Sequence, residues 1–177
     1  MATDRLFLAV VPPGDVAQRI GDLARRLKTG HELNGRPLET DHFHVTLCHL
    51  GDGVGLPADR VAMATERAAA LTMPRFKVAF DRVMSFRNGA FVLCGEDGTI
   101  GLEVLQQRLS DALDDSPRVA RPFTPHVTLL RDSHIVPGHD IEPISWEVRD
   151  VVLVHSLLGK RTHRHLARVP LGENSAS

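Results

Sequence analysis

Apolar side chains recur along this chain with two periods, and the switches between them mark its elements. Leu6 to Val11 is a continuous apolar run stopped by Pro12 and Pro13, the pattern of a buried strand. Val16, Ile20, Leu23 and Leu27 then share one face of a helix over about Asp15–Lys28, and Gly30 is placed to end it. The stretch from Gly30 to Glu39, with Asn34-Gly35 and Pro37, reads as a loop. From Asp41 to Leu50 the period becomes two. Phe43, Val45 and Leu47 form a core face, and His42, His44, Thr46 and Cys48 form the other. Pro57 opens a second helix to about Leu71, striped by Val61, Ala64, Ala68 and Leu71.

In the second half, Arg75–Phe86 and Ala90–Gly95 are strand-like and joined through Asn88-Gly89, which predicts an antiparallel hairpin. Leu102, Leu105, Leu109 and Leu113 predict a third helix over Thr99–Asp114, with Thr99 as its cap. A loop containing Pro117 and Pro122 leads to a short strand, His126–Arg131, and Ser145–Pro170 supplies two strand-like runs around Gly159. Strands and helices mix without strict βαβ repetition, so the class is α+β.

Composition narrows the function without naming it. A chain of 177 residues with 42% apolar and 24% charged residues suits one globular domain, expected over residues 1–172 with a frayed tail at 173–177. Lys and Arg number 21 against 22 Asp and Glu, so any nucleic-acid contact must be a local patch. The run Leu6–Val11 is too short for a membrane span or a signal-peptide core. A cytoplasmic location, no membrane contact and a monomer are the expectations. Cys48 and Cys94 do not make a disulfide framework. The ten histidines, against no tyrosine, carry the composition's one strong signal.

Two of those histidines open a repeated tetrapeptide. His44-Val45-Thr46-Leu47 recurs nearly half a chain later as His126-Val127-Thr128-Leu129, each copy on a predicted strand. Two chance copies in a chain of this composition are expected on the order of 0.002 times. Residues i and i+2 of a strand point the same way, so each copy sets an imidazole beside a hydroxyl. Two such pairs facing each other suit a phosphate: one imidazole takes a proton, the other gives one, and the threonines hold oxygens. The sequence is symmetric and does not assign acid and base.

These motifs, the second within Arg121-Pro122-Phe123-Thr124-Pro125-His126-Val127-Thr128-Leu129-Leu130-Arg131, resemble the 2H phosphoesterase superfamily. Within it the chain is most similar to the RNA 2',3'-cyclic phosphodiesterases, also called 2'-5' RNA ligases, over roughly residues 4–170. The resemblance implies a bilobal α+β fold with pseudo-two-fold, duplicated antiparallel sheets flanked by helices around a central cleft. It implies catalytic His44 and His126, phosphate-binding Thr46 and Thr128, and a weaker phosphate contact from Arg131, with no metal or other cofactor. The implied substrates are RNA ends or nucleoside 2',3'-cyclic phosphates, hydrolysed to a 2'-phosphate, with 2'-5' ligation as the reverse. Relatives commonly carry an aromatic, often Tyr, where this chain reads Thr162-His163-Arg164-His165.

Alternatives remain for several of these residues. The whole reading competes with a phosphodiesterase acting on another small cyclic phosphate or a 2'-5' bond, and with a nucleotide-binding module without turnover. His42-x-His44 and His163-x-His165 have the spacing of ligand pairs, but no acid or thiolate accompanies them, so a solvated surface is expected. Cys48 is expected to be a packing residue. Lys160, Arg161, Arg164 and Arg168, with Arg118 and Arg121, either steer an RNA end or face water. Phe43 and Phe86 read as core, and Phe123 is the candidate for stacking on a base.

Overall fold

The computed structural model describes residues 1–113 and 122–172. The expected tail at 173–177 and the residues Pro117, Arg118 and Arg121 lie outside them. Among the described residues the order is β1 (Asp4–Val10), α1 (Gly14–Gly30), β2 (Val45–Gly53), α2 (Ala58–Ala69), β3 (Phe76–Ser85), β4 (Ala90–Cys94), α3 (Ile100–Leu113), β5 (Val127–Arg131), β6 (His139–Val148), β7 (Asp150–Leu157) and β8 (Thr162–Pro170). The strands make two antiparallel sheets ordered β2-β1-β7-β8 and β5-β4-β3-β6. Both copies of the tetrapeptide therefore open edge strands, β2 and β5, with each histidine one residue ahead of its strand, and these edges approach each other across the molecule.

The sheets repeat one unit. In β1-α1-β2 and again in β4-α3-β5, an inner strand with a buried run of five residues leads through a helix to an edge strand that follows the motif histidine. The duplication is not two successive halves of the chain. Residues from the middle build the second sheet, and β7 and β8 return to complete the first.

Each connecting helix packs on the opposite sheet as well as its own surroundings: α1 lies against β5 and β6, and α3 against β2 and β3. The apolar stripes predicted this burial. Val16, Ile20 and Leu23 of α1 and Leu102, Leu105 and Leu109 of α3 are almost solvent-free. One hydrophobic cluster consequently draws from both sheets and all three helices. Gly101 marks a tight contact in it, since a Cβ there would lie 2.4 Å from the Phe76 ring.

Three local expectations are corrected. The strand-like stretch expected from Ser145 begins earlier, at His139, and holds the end of β6 as well as β7 and β8. β6 is an edge strand, and Pro143 falls where its ladder to β3 skips, so the missing N–H costs no bond. Gly30 is the last residue of α1 rather than its left-handed terminator; Glu32, at φ 55°, takes that conformation. Thr99 does not cap α3. It closes the 3-10 turn Asp97–Thr99, and its hydroxyl donates to the Glu96 carbonyl at 3.0 Å.

Because the core is shared, Leu105→Ala is expected to lower stability by about 2–5 kcal/mol. Denaturant unfolding should then remain one transition whether followed by Trp146 fluorescence in the second sheet or by far-ultraviolet circular dichroism. Two separated transitions would mean that the sheets hold independent cores.

Candidate active site

The two motifs are positioned by the same local device. In the first, Ala9 lies opposite Thr46 and Leu8 opposite Cys48, which leaves Leu47 as an extra, unpaired residue. In the second, Val92 lies opposite Thr128 and Phe91 opposite Leu130, which leaves Leu129 extra. A β-bulge thus follows each threonine, bending the edge strand and twisting it locally. Both bulge leucines are buried in the shared core. The bulge also corrects the expectation that Cys48 shares the face of His44 and Thr46. Cys48 is packed against the core with its Sγ 3.8 Å from Ser110 Oγ of α3, and burial pushes its thiol pKa up.

The imidazoles are held alike. His44 Nδ1 donates to the His42 carbonyl at 2.7 Å, and His126 Nδ1 donates to the Thr124 carbonyl at 2.8 Å. A carbonyl only accepts, so each neutral ring carries its proton on Nδ1 and presents the Nε2 lone pair. The Thr46 hydroxyl lies 3.1 Å from His44 Nε2 and donates to it. The two histidines are close enough for a charge on His126 to disfavour protonation of His44.

Each ring also rests on a phenylalanine. Phe7 of β1 lies 5.0 Å from His44 between centroids, and Phe86 lies 4.9 Å from His126, edge-on at 72°. Phe7 belongs to a small apolar floor with Ala9, Val152 and Val154. The matching floor in the second sheet is Ala90, Val92 and Cys94, with Phe86 beside it. Sequence reading missed the role of Phe7 because β1 is apolar on both faces, which hides which face meets the cleft. Phe123, the expected stacking ring, is half-buried against the main core instead.

The surroundings of the two histidines differ. His163 of β8 lies 5.5 Å from His44, 5.9 Å from Phe7 and stacks on His42 at 4.3 Å. His42 was expected on a wet surface; the 3-10 turn Thr40–His42 instead turns it inward, leaving it 9% exposed beneath His163. Burial holds His163 well below an ordinary imidazole, at about 4, helped by the neighbouring His42, His44 and His165. It is therefore a neutral, flat ring at pH 7. Burial likewise lowers His44, opposed by its bond to the His42 carbonyl and reinforced by the charges of His126, His42 and His165.

Thr128 and Arg131 open onto a cavity of about 310 Å³ that also touches His42, Arg36 and Arg161. Two roomier concavities, about 710 and 510 Å³, lie between α1 and β6 and beside Pro12-Pro13, and no motif residue lines either. Among the described residues, no three His, Cys, Asp or Glu side chains converge as metal ligands do. No described helix is long and apolar enough to cross a membrane.

This edge-to-edge arrangement has known relatives. Residues 12–159 match the model of the 2'-5' RNA ligase superfamily. The chain belongs to that superfamily. Over 132 residues it is 29% identical to the RNA 2',3'-cyclic phosphodiesterase of Escherichia coli K12, covering 73% of this chain and 72% of the relative. Escherichia coli LigT in its apo form superposes with a TM-score of 0.78 at 26% identity, over 98% of this chain and 100% of that one. LigT complexed with 3'-AMP gives 0.76 at 26% identity, over 97% and 99%. The fold is that of the superfamily, two four-stranded antiparallel sheets with three flanking helices.

The neutral His163 has a thermodynamic signature. Between pH 6.5 and about 4 the unfolded chain binds a proton at His163 that the folded chain does not, so this contribution to stability is present above pH 6.5 and fades as pH falls toward 4. His163→Phe, which keeps a flat ring, should flatten that part of the curve of unfolding midpoint against pH. An unchanged slope would show that His163 titrates freely in the folded protein.

Proposed function

We propose that this protein hydrolyses RNA or nucleoside 2',3'-cyclic phosphates to 2'-phosphates, with His44 and His126 as the proton-transfer pair. Water attacks phosphorus in line with the departing 3' oxygen. One imidazole accepts the water proton as the new P–O bond forms, and the other, protonated, donates to the 3' oxygen as its bond to phosphorus breaks. Entering and leaving atoms lie on opposite sides of phosphorus, so the two proton carriers must come from opposite sides of the cleft. Thr46 and Thr128 hold the non-bridging oxygens, and Arg131 adds a charged contact. The reverse direction, with an RNA 5'-hydroxyl in place of water, is 2'-5' ligation. The observation that carries this reading is the shared geometry of the two motifs: two Nδ1-anchored imidazoles, each two residues ahead of a threonine, on facing edge strands. The relative's solved complexes with 3'-AMP and ATP support a nucleotide in the cleft.

Removing either imidazole should lower turnover of a 2',3'-cyclic nucleotide by roughly two to four orders of magnitude, the range for losing a general acid or base. Thr46→Ala and Thr128→Ala should cost less. Products resolved as 2'- and 3'-monophosphates, with chelator present, check both chemistry and regiochemistry. Folded His44→Ala and His126→Ala variants with wild-type rates would remove the pair from the mechanism.

The pH profile adds a separate check. Only the singly protonated pair is active, so kcat/KM should be bell-shaped whichever histidine is the base. The acidic limb reports the lower constant of the pair and should lie below pH 6.5, because burial lowers His44. A rate that climbs steadily with pH and needs added divalent metal would point to a metal-bound hydroxide instead.

A further inference from the structure

We propose that the cavity beside Thr128 is a subsite for a second phosphate, the one on the 5' side of the terminal nucleoside, so that the protein reads an RNA end rather than an isolated cyclic nucleotide. This rests on the hydrolytic reading above and names its substrate more closely.

Three arginines line the cavity from three separate segments. Arg36 comes from the loop between α1 and β2, Arg131 from the end of β5, and Arg161 from the β7–β8 hairpin. Among the described residues none of the three side chains has a hydrogen-bonding or acidic partner. Arg5, Arg82, Arg149 and Arg168 elsewhere on the surface are each paired with an acid. The wall also contains Glu39, which leaves a surplus of two positive charges, and Leu38 and Leu130, an apolar face for a sugar or base edge. Like charges gathered without partners repel one another until an anion joins them.

The backbone holds them together. Leu38 N donates to the carbonyl of the bulge residue Leu129 at 2.9 Å, and the amides of Asn34 and Gly35 donate to Asp132 Oδ2 at 2.6 and 2.7 Å. Gly35 passes so close to β5 that a Cβ would sit 2.0 Å from the Arg131 carbonyl oxygen, which fixes Arg36 next to Arg131. Arg161 stands at φ 52°, a left-handed conformation disfavoured for a residue with a side chain. Thr128 and Arg131 line the same cavity, so a phosphate held by Arg36 and Arg161 would adjoin the one under attack, with Arg131 between the two.

Three substrates test the inference: a nucleoside 2',3'-cyclic phosphate, its 5'-phosphorylated form, and a dinucleotide ending in a 2',3'-cyclic phosphate. The dinucleotide is expected to exceed the nucleoside in kcat/KM by on the order of tenfold or more, mainly through KM and less so at high salt. Arg36→Ala and Arg161→Ala should abolish that gain while hydrolysing the nucleoside substrate at the wild-type rate, which also shows that they fold. An equal gain for the 5'-phosphorylated nucleoside would assign recognition to the phosphate itself, and a gain confined to the dinucleotide would assign it to the phosphodiester of an RNA chain. No gain for the dinucleotide, or a gain that survives in both variants, would overturn the subsite. Failure of the wild type to open any of the three substrates would instead overturn the hydrolytic reading.

Discussion

Each His-x-Thr pair depends on the bulge that follows it. An edge strand in regular register would keep alternating, and the fourth residue of the motif would simply be the next core residue in the ladder. Here that leucine is extra. It sinks into the core that both sheets share, and the strand bends at the point where the threonine ends its useful face. In the second copy the freed carbonyl of Leu129 also receives Leu38, which ties the loop ahead of the first motif to the strand of the second. The tetrapeptide is repeated whole because its leucine anchors the bulge that aims the other three residues.

Much of this was written in the sequence. The helix stripes, the Asn88-Gly89 hairpin and the repeated motif located the three described helices, the strands that carry the motifs and their antiparallel class. What stayed hidden has physical causes. The bulges leave no mark on the hydrophobic pattern, so Cys48 was placed on the wrong face. The start of β6, ahead of Ser145, carries Pro143, a residue that only an edge strand tolerates. Phe7 was hidden in a strand apolar on both faces, and the closeness of His163 to His44 arises from pairing between β7 and β8, far from the first motif in sequence.

The two histidines share a tautomer and a type of anchor, yet their neighbours differ. His44 is boxed by Phe7, His163 and the His42 segment, whereas His126 rests on Phe86. His163 stacks on His42 beside His44, and its burial keeps it uncharged at neutral pH. An imidazole that does not ionise can serve as a planar surface while adding no charge beside the imidazole proposed to exchange protons. Duplication therefore built a symmetric frame, and the residues around it made the two sides chemically unequal.

The interrupted path of the chain through the two sheets bears on how the protein emerges from synthesis. The second sheet is contiguous, Phe76 to Val148, and its strands meet soon after they are made. β1 precedes the second sheet in sequence but lies inside the first sheet, and its second neighbour, β7, follows only after the whole of the second sheet. Thr3 and Leu158, joined by a 2.9 Å backbone bond, mark that late closure. The apolar strand beneath His44 thus stays open along one side until the whole second sheet has been made, a long-range pairing that is slow to form and exposed to misassociation until β7 and β8 fold over it.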